Sequence, residues 1–219
     1  MILDRSERAN LNALLGSSSP LSGIEKVARM FPGRMIMTTS GGQHSAALPN
    51  MVSRVISSRV PLVFIDTRHY TQPTYDMIDY FREQGYDVKI YASRYSQEEI
   101  EQQYPGWWDE NDPAFSQKIF DTVVKKIKHE PLERAIEELT PDVWVSGLTS
   151  FKSAARETKN VIEYNELEIL KIYPIIHWDL QEVENYLRWH GLPSNPHHFD
   201  ITKGLDQRNE CGIHTALGE

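Results

Sequence analysis

Arg34-Met35-Ile36-Met37-Thr38-Thr39-Ser40-Gly41-Gly42-Gln43-His44-Ser45 is the stretch whose reading decides the fold. Its first half is apolar without polar alternation, the pattern of a strand covered on both faces. Its second half is small and polar, with two adjacent glycines. A helical pattern follows from Ala46 to about Ser57, and Pro49 fits it only in the first turn. Strand, glycine turn and helix together open a β–α unit.

The same alternation recurs downstream. Val60 to Ile65, ending at Asp66, predicts a second strand, and Pro73 to Gln84 a helix stopped by Gly85. Asp87 to Tyr91 predicts a third strand. Residues 93–115 are less regular, and a helical region then runs to Leu139 with a break expected near Pro131. Asp142 to Ser146 predicts a fourth strand opening into Gly147, and a fifth lies between Glu168 and Ile176. Asp179 caps a helix over Leu180 to His190, closed by Gly191. Upstream, residues 1–30 form a helical lead-in interrupted by Gly16-Ser17-Ser18-Ser19-Pro20, with a turn at Phe31-Pro32-Gly33.

These elements predict a doubly wound α/β fold: a mostly parallel sheet of five or six strands with helices on both faces, plus a flexible C-terminal tail. The expected division is an α/β domain over residues 1–191 and a tail over 192–219. In such folds ligands bind beyond the carboxyl ends of the strands. Ser40–Ser45, Asp66–Thr71 and Gly147–Ser153 are therefore expected to share one crevice.

Composition narrows the function. With 219 residues and a net charge of −8, the chain suits one domain and lacks the clustered basic charge of a general nucleic-acid binder. A small anionic ligand needs only a local positive pocket. The first residues have neither a basic start nor an apolar run, and no stretch approaches a membrane span of ~20 apolar residues. A cytoplasmic protein without a membrane partner is expected. One cysteine, Cys211, excludes an intrachain disulfide, and also a four-thiolate zinc site or four-cysteine iron–sulfur cluster built from one chain. The eight histidines show no helix-spaced metal pair, so no metal site is expected.

Two stretches have the residue types for chemistry. In the first, Thr39, Ser40, Gly41, Gly42, Gln43 and Ser45 lie between strand and helix, where glycines let backbone approach an anion and hydroxyls bind it. The pattern is neither the dinucleotide fingerprint nor Walker A. The second is Arg208-Asn209-Glu210-Cys211-Gly212-Ile213-His214. A lone cysteine is usually a small buried hydrophobe. This one sits in a polar segment with no apolar period, where His214 and Arg208 favour a thiolate and Glu210 opposes it.

The first stretch resembles the pyrophosphate loop, Ser-Gly-Gly-x-Asp-Ser, of the ATP pyrophosphatase and adenine nucleotide alpha hydrolase-like superfamily. His44 replaces its Asp, which argues against ATP-cleaving chemistry. Glu210-Cys211-Gly212-Ile213-His214 resembles the signature of the sulfonucleotide reductases, the phosphoadenylyl-sulfate (PAPS) and adenylyl-sulfate (APS) reductases. Other stretches agree in order: Phe64-Ile65-Asp66-Thr67 with Pro73-Thr74-Tyr75, Lys128 to Leu132, Trp144 to Leu148 with Ser153 and Arg156, and Pro174 to Asp179. The resemblance covers roughly residues 24 to 214. It departs where Thr149 and Ser150 replace two arginines, where Arg68 replaces a glycine, and where the stretch from Pro196 to Asn209 is short.

The resemblance implies that PAPS, with APS as an alternative, lies over the glycine turn beside Asp66 and Gly147. Lys128, Ser153 and Arg156 are then contacts to its phosphosulfate or 3′-phosphate. Cys211, assisted by His214, takes the sulfonate and is resolved by external thioredoxin or glutaredoxin, since the chain has no second thiol. No bound cofactor and a homodimer are expected. Two rival readings share the fold: an ATP pyrophosphatase-like enzyme of sulfur transfer or adenylation, and a non-catalytic adenine-nucleotide-binding protein.

Overall fold

The computed structural model describes residues 3–32, 34–56, 59–149, 160–165, 168–204 and 208. Six strands form one sheet: β1 (Met35–Thr39), β2 (Leu62–Asp66), β3 (Val88–Ala92), β4 (Val143–Ser146), β5 (Ile162–Tyr164) and β6 (Leu170–Ile172), in the order β3-β2-β1-β4-β6-β5. All pairs are parallel except β5 with β6. The expected mostly parallel sheet is therefore present. The three-residue β5 is too short to show in the sequence pattern.

Alternation along each strand explains the two layers. Met35, Met37, Leu62, Phe64, Val143 and Val145 face one core, with Leu170 and Ile172 beside them. Ile36, Val63, Ile65 and Trp144 face the other. On the first side lie α1 (Arg5–Gly16), α2 (Pro20–Met30), α3 (Ala47–Val55) and α4 (Gln72–Glu83). The helix α8 (Leu180–Trp189) joins them through Tyr186 and Leu187. On the second side α7 (Glu130–Leu139) contributes Leu132, Ala135 and Ile136. Each fully buried apolar side chain contributes about 1.5–3 kcal/mol, so both layers are needed. A third cluster joins α5 (Gln97–Gln103), α6 (Gln117–Val124) and the following turn through Ile100, Trp107, Phe120 and Ile127. The short α5 lies in the stretch read as irregular, and its start is a capping box between Ser96 and Glu99.

The break expected near Pro131 is not a loop. Helix α6 passes into a π-helical turn, Lys125–His129, and then directly into α7. The N–H of Glu130 reaches the carbonyl of Lys125, five residues back. The widened turn accommodates Pro131, which has no N–H to donate, and rotates Lys128 inward until it is only 2% exposed.

The strand order reverses direction between β1 and β4, which puts the switch point of the sheet at their carboxyl ends. Thr38 pairs with Ser146 there and Thr39 with Phe64.

Helix α8 begins with a reciprocal cap: Asp179 Oδ1 accepts from the Glu182 N–H at 2.8 Å, and Glu182 Oε2 accepts from the Asp179 N–H at 2.8 Å. Asp179→Ala is expected to lower stability by about 1 kcal/mol, read by chemical denaturation, with the slope of the transition unchanged.

Candidate functional site

The turn from β1 into α3 forms one wall of the crevice. Gly41 has φ +68°, and a Cβ there would lie 2.9 Å from Thr74 Cγ2 and 3.1 Å from the Thr74 carbonyl oxygen. Only glycine fits, because both backbone conformation and space forbid a side chain. The Gly41 N–H donates to Thr39 Oγ1 at 3.1 Å, and its carbonyl accepts from Asn195 Nδ2 at 2.8 Å. No side chain caps α3. Ser40 is 7% exposed, and the hydroxyls of Ser40 and Ser45 are buried with no hydrogen-bond partner among the described residues. An unsatisfied buried hydroxyl costs about 1–3 kcal/mol, so a pair of them at the head of an uncapped helix marks a place for an anion. His44, between them in sequence, is also buried.

The connection after β2 forms the second wall. Asp66 Oδ1 accepts from the Arg68 N–H at 2.8 Å and from the Tyr75 hydroxyl at 2.9 Å. Burial, and then the Asp66 charge, push the Tyr75 phenol well up, so it stays a donor. Tyr70 is pushed up in the same way by burial, then by Asp200 and Asp66. Arg68 takes φ +62°, the left-handed conformation that a glycine adopts without cost. This explains the glycine in the related motif. The Arg68 Nε donates to the Ser93 carbonyl at 2.9 Å, so the side chain ties β2 to the end of β3.

Gly147, just beyond β4, completes the crest. It is exposed, and a Cβ there would meet only Leu48, at ordinary contact distances from 3.5 Å. The fold does not demand glycine at 147. Ser153, Arg156, Cys211 and His214 lie outside the described residues.

Lys128 enters from the π turn. Its Nζ lies 2.7 Å from Asp200 Oδ2 and 2.7 Å from Thr202 Oγ1. Thr202 in turn donates its hydroxyl at 2.5 Å and its N–H at 3.1 Å to Asp200 Oδ1. The side chains of Lys128 and Asp200 are 3% and 1% exposed. Burial by itself raises the Asp200 carboxyl. The Lys128 and Lys203 charges and the hydrogen bonds outweigh it and hold Asp200 well below the usual carboxylate range. Removing one partner of such a pair strands the other charge, a loss of about 3–5 kcal/mol. Next to Lys128, His129 is held below the ordinary imidazole value by burial and then by Lys128 and Lys125.

The residues that the sequence reading missed belong to 195–204. Asn195 holds Gly41, and His198 stacks on Tyr70 with ring centroids 5.9 Å apart. His198 Nδ1 lies 3.3 Å from Thr74 Oγ1. The segment has no helix or strand and no apolar period. Its one legible signal was the i to i+2 side-chain turn, found here from Asn195 Oδ1 to the His197 N–H and from Asp200 Oδ1 to the Thr202 N–H.

A family model described as "Phosphoadenosine phosphosulfate reductase domain" matches residues 34–201. The phosphoadenosine 5′-phosphosulfate reductase of Alkalilimnicola ehrlichii is 26% identical over 238 residues, covering 99% of this chain and 94% of that one. The protein of the same name from Cronobacter sakazakii is 29% identical over 189 residues, covering 86% and 75%. Among solved structures, phosphoadenylyl-sulfate (PAPS) reductase from Candida auris in a phosphate complex superposes with a TM-score of 0.73 at 27% identity, covering 89% of this chain and 91% of that one. The NH3-dependent NAD synthetase of Campylobacter jejuni, at 11% identity and a TM-score of 0.53, covers 84% and 73% and shares the fold alone.

The turn and its hydroxyls make opposite predictions for stability. Gly41→Ala is expected to destabilise by more than about 2 kcal/mol, from the left-handed backbone and the contact with Thr74. Ser40→Ala removes an unsatisfied group and is expected to leave stability unchanged or raise it by about 1 kcal/mol. Parallel urea denaturation of the two variants checks both.

Proposed function

The chain belongs to the phosphoadenosine phosphosulfate reductase family, and from that premise we propose that it reduces PAPS to sulfite and adenosine 3′,5′-bisphosphate with Cys211 as the nucleophile. Sulfonucleotide reduction is the activity of the family. The observation that supports it is the pair of orphaned hydroxyls, Ser40 and Ser45, at the glycine turn beside the switch point of the sheet.

In this reading the phosphosulfate group lies against residues 40–45, with Thr39 fixing the turn from beneath and Ser153 and Arg156 adding contacts. The nucleotide passes along the strand ends between Asp66 and Gly147. The Cys211 thiolate, stabilised by His214, attacks the sulfate sulfur. The sulfur–oxygen bond to the phosphate breaks, and adenosine 3′,5′-bisphosphate leaves with the electron pair. The product on the chain is a cysteine S-sulfonate.

Release of sulfite needs two electrons. A thiolate of an external dithiol, of thioredoxin or glutaredoxin type, attacks Cys211 Sγ and expels sulfite with its electron pair. The second thiol of that protein then resolves the mixed disulfide, returning Cys211 to the thiolate and leaving the partner oxidised. One cysteine in the chain makes the external dithiol a stoichiometric requirement. The same count disfavours the iron–sulfur type of APS reductase and makes PAPS the better substrate. A reducing cytoplasm fits a thiol that must be regenerated at every turnover.

Intact mass spectrometry after mixing with PAPS and no reductant is expected to show a sulfonate-sized gain on Cys211, reversed by thioredoxin. Cys211→Ser is expected to abolish the adduct and sulfite production while nucleotide binding persists. Turnover by that variant at a comparable rate would end the proposal. Gly147→Ala separates binding from folding: stability is expected to stay within about 0.5 kcal/mol of the parent while nucleotide affinity falls.

A further inference from the structure

Six polar side chains in the stretch after α8 are buried: Asn195, His198, Asp200, Thr202, Lys203 and Arg208. Its described residues form no helix or strand, so their position depends on these side-chain ties. Together with one hydroxyl of the α4 cap, they fix the stretch at four separate places. Asn195 binds the Gly41 carbonyl, and Thr71 Oγ1 donates to the His197 carbonyl at 3.5 Å. Asp200 and Thr202 bind Lys128 of the π turn. Arg208 donates through Nε to the Lys203 carbonyl at 3.1 Å and through Nη2 to the Trp108 carbonyl, and lies 3.5 Å from Glu110 Oε1. The Asp200 N–H donates to the Arg208 carbonyl at 2.7 Å, which ties Arg208 to the start of the Asp200 turn.

We propose that Lys128 is a positioning residue: through its ion pair with Asp200 it holds residues 195–204 and Arg208 beside the anion turn, and thereby sets where the chain delivers Cys211, three residues beyond Arg208. The proposal rests on the reading of Cys211 as nucleophile. It gives Lys128 a role different from the direct substrate contact that the resemblance implied.

Three observations favour the indirect role. Two of the three Lys128 ammonium protons already point to oxygens at 2.7 Å, and the side chain is 3% exposed. At 3% exposure the third proton is shielded, so a substrate oxygen would have to enter the buried site or draw the ammonium off Asp200, and separating the buried pair is a larger loss than one charged contact returns. The ion pair also joins an element of the rigid framework to a stretch in which, among the described residues from 195 on, Ile201 alone packs on an apolar cluster, the one around Trp107. A charged pair of fixed geometry sets register where apolar contact would allow sliding.

The test uses the full chain and three variants, Lys128→Met, Asp200→Asn and the double variant. The double variant removes both charges together and keeps an oxygen at 200 for Thr202. Melting curves establish folding, calorimetry gives the affinity for adenosine 3′,5′-bisphosphate, and intact mass against time gives the single-turnover rate of Cys211 sulfonation by PAPS. A positioning role predicts that the folded double variant binds the nucleotide within about threefold of the parent but sulfonates at least about tenfold more slowly. Either single variant that folds should be as slow as the double, because the two residues act as one unit. If the charge variants do not fold, Thr202→Val, which removes one acceptor of the ammonium and no charge, is expected to slow sulfonation at unchanged affinity.

A Lys128→Met variant that loses nucleotide affinity at least about tenfold, while Asp200→Asn keeps it, would make Lys128 a substrate contact and overturn the proposal. Sulfonation at the parental rate by the folded double variant, or by Thr202→Val where only that variant folds, would also overturn it. Absence of any adduct on the parent chain is a separate result: it removes the reductase reading, and the positioning role falls with it.

Discussion

A parallel sheet covered on both faces can offer a ligand only its strand ends, and here that constraint governs everything else. Odd and even residues of β1, β2 and β4 fill two apolar layers. Polar chemistry is thereby pushed to the segments after Thr39, Asp66 and Ser146. Because the strand order reverses between β1 and β4, two of those segments diverge and leave a crevice. At the crevice Gly41 lies hard against Thr74, and its carbonyl accepts from Asn195. The glycine turn is thus fixed by packing before any ligand arrives, and the Ser40 and Ser45 hydroxyls have no partner among the described residues.

How much of this was legible depended on the range of the interactions. The strands were readable because burial on both faces leaves a local signature, a continuous apolar run. The turn at 40–45 was readable because glycine pairs between strand and helix have a known use. Pro131 was read as an interruption, which local sterics do predict. The sequence could not say that the helix would absorb it as a π turn, since that choice depends on what Lys128 gains by turning inward. The partnership of Lys128 with Asp200 spans 72 residues, and no periodicity links two such positions. The stretch from 192 was read as a tail for the same reason. Its order comes from single polar contacts to distant elements, and these leave only short side-chain turns as a trace.

The ion pair clarifies how a polar, aperiodic segment can be ordered at all. An apolar pair of similar volume would bind the segment as strongly, and often more strongly. What it would not do is define one position along the chain. The Lys128 ammonium meets one carboxylate oxygen and one hydroxyl, and the other carboxylate oxygen is taken by Thr202. Sliding the segment by a residue would leave at least one of these groups buried without a partner. Against the effect of burial, the Lys128 and Lys203 charges and the hydrogen bonds hold the Asp200 carboxyl well below the usual carboxylate range, so it meets the ammonium as a carboxylate at neutral pH. A reaction that relies on one thiol from outside the sheet has a use for such a fixed point. On the proposed mechanism the nucleotide lies at the strand ends and the Cys211 thiol is delivered from beyond Arg208, so register at residue 200 would link the two.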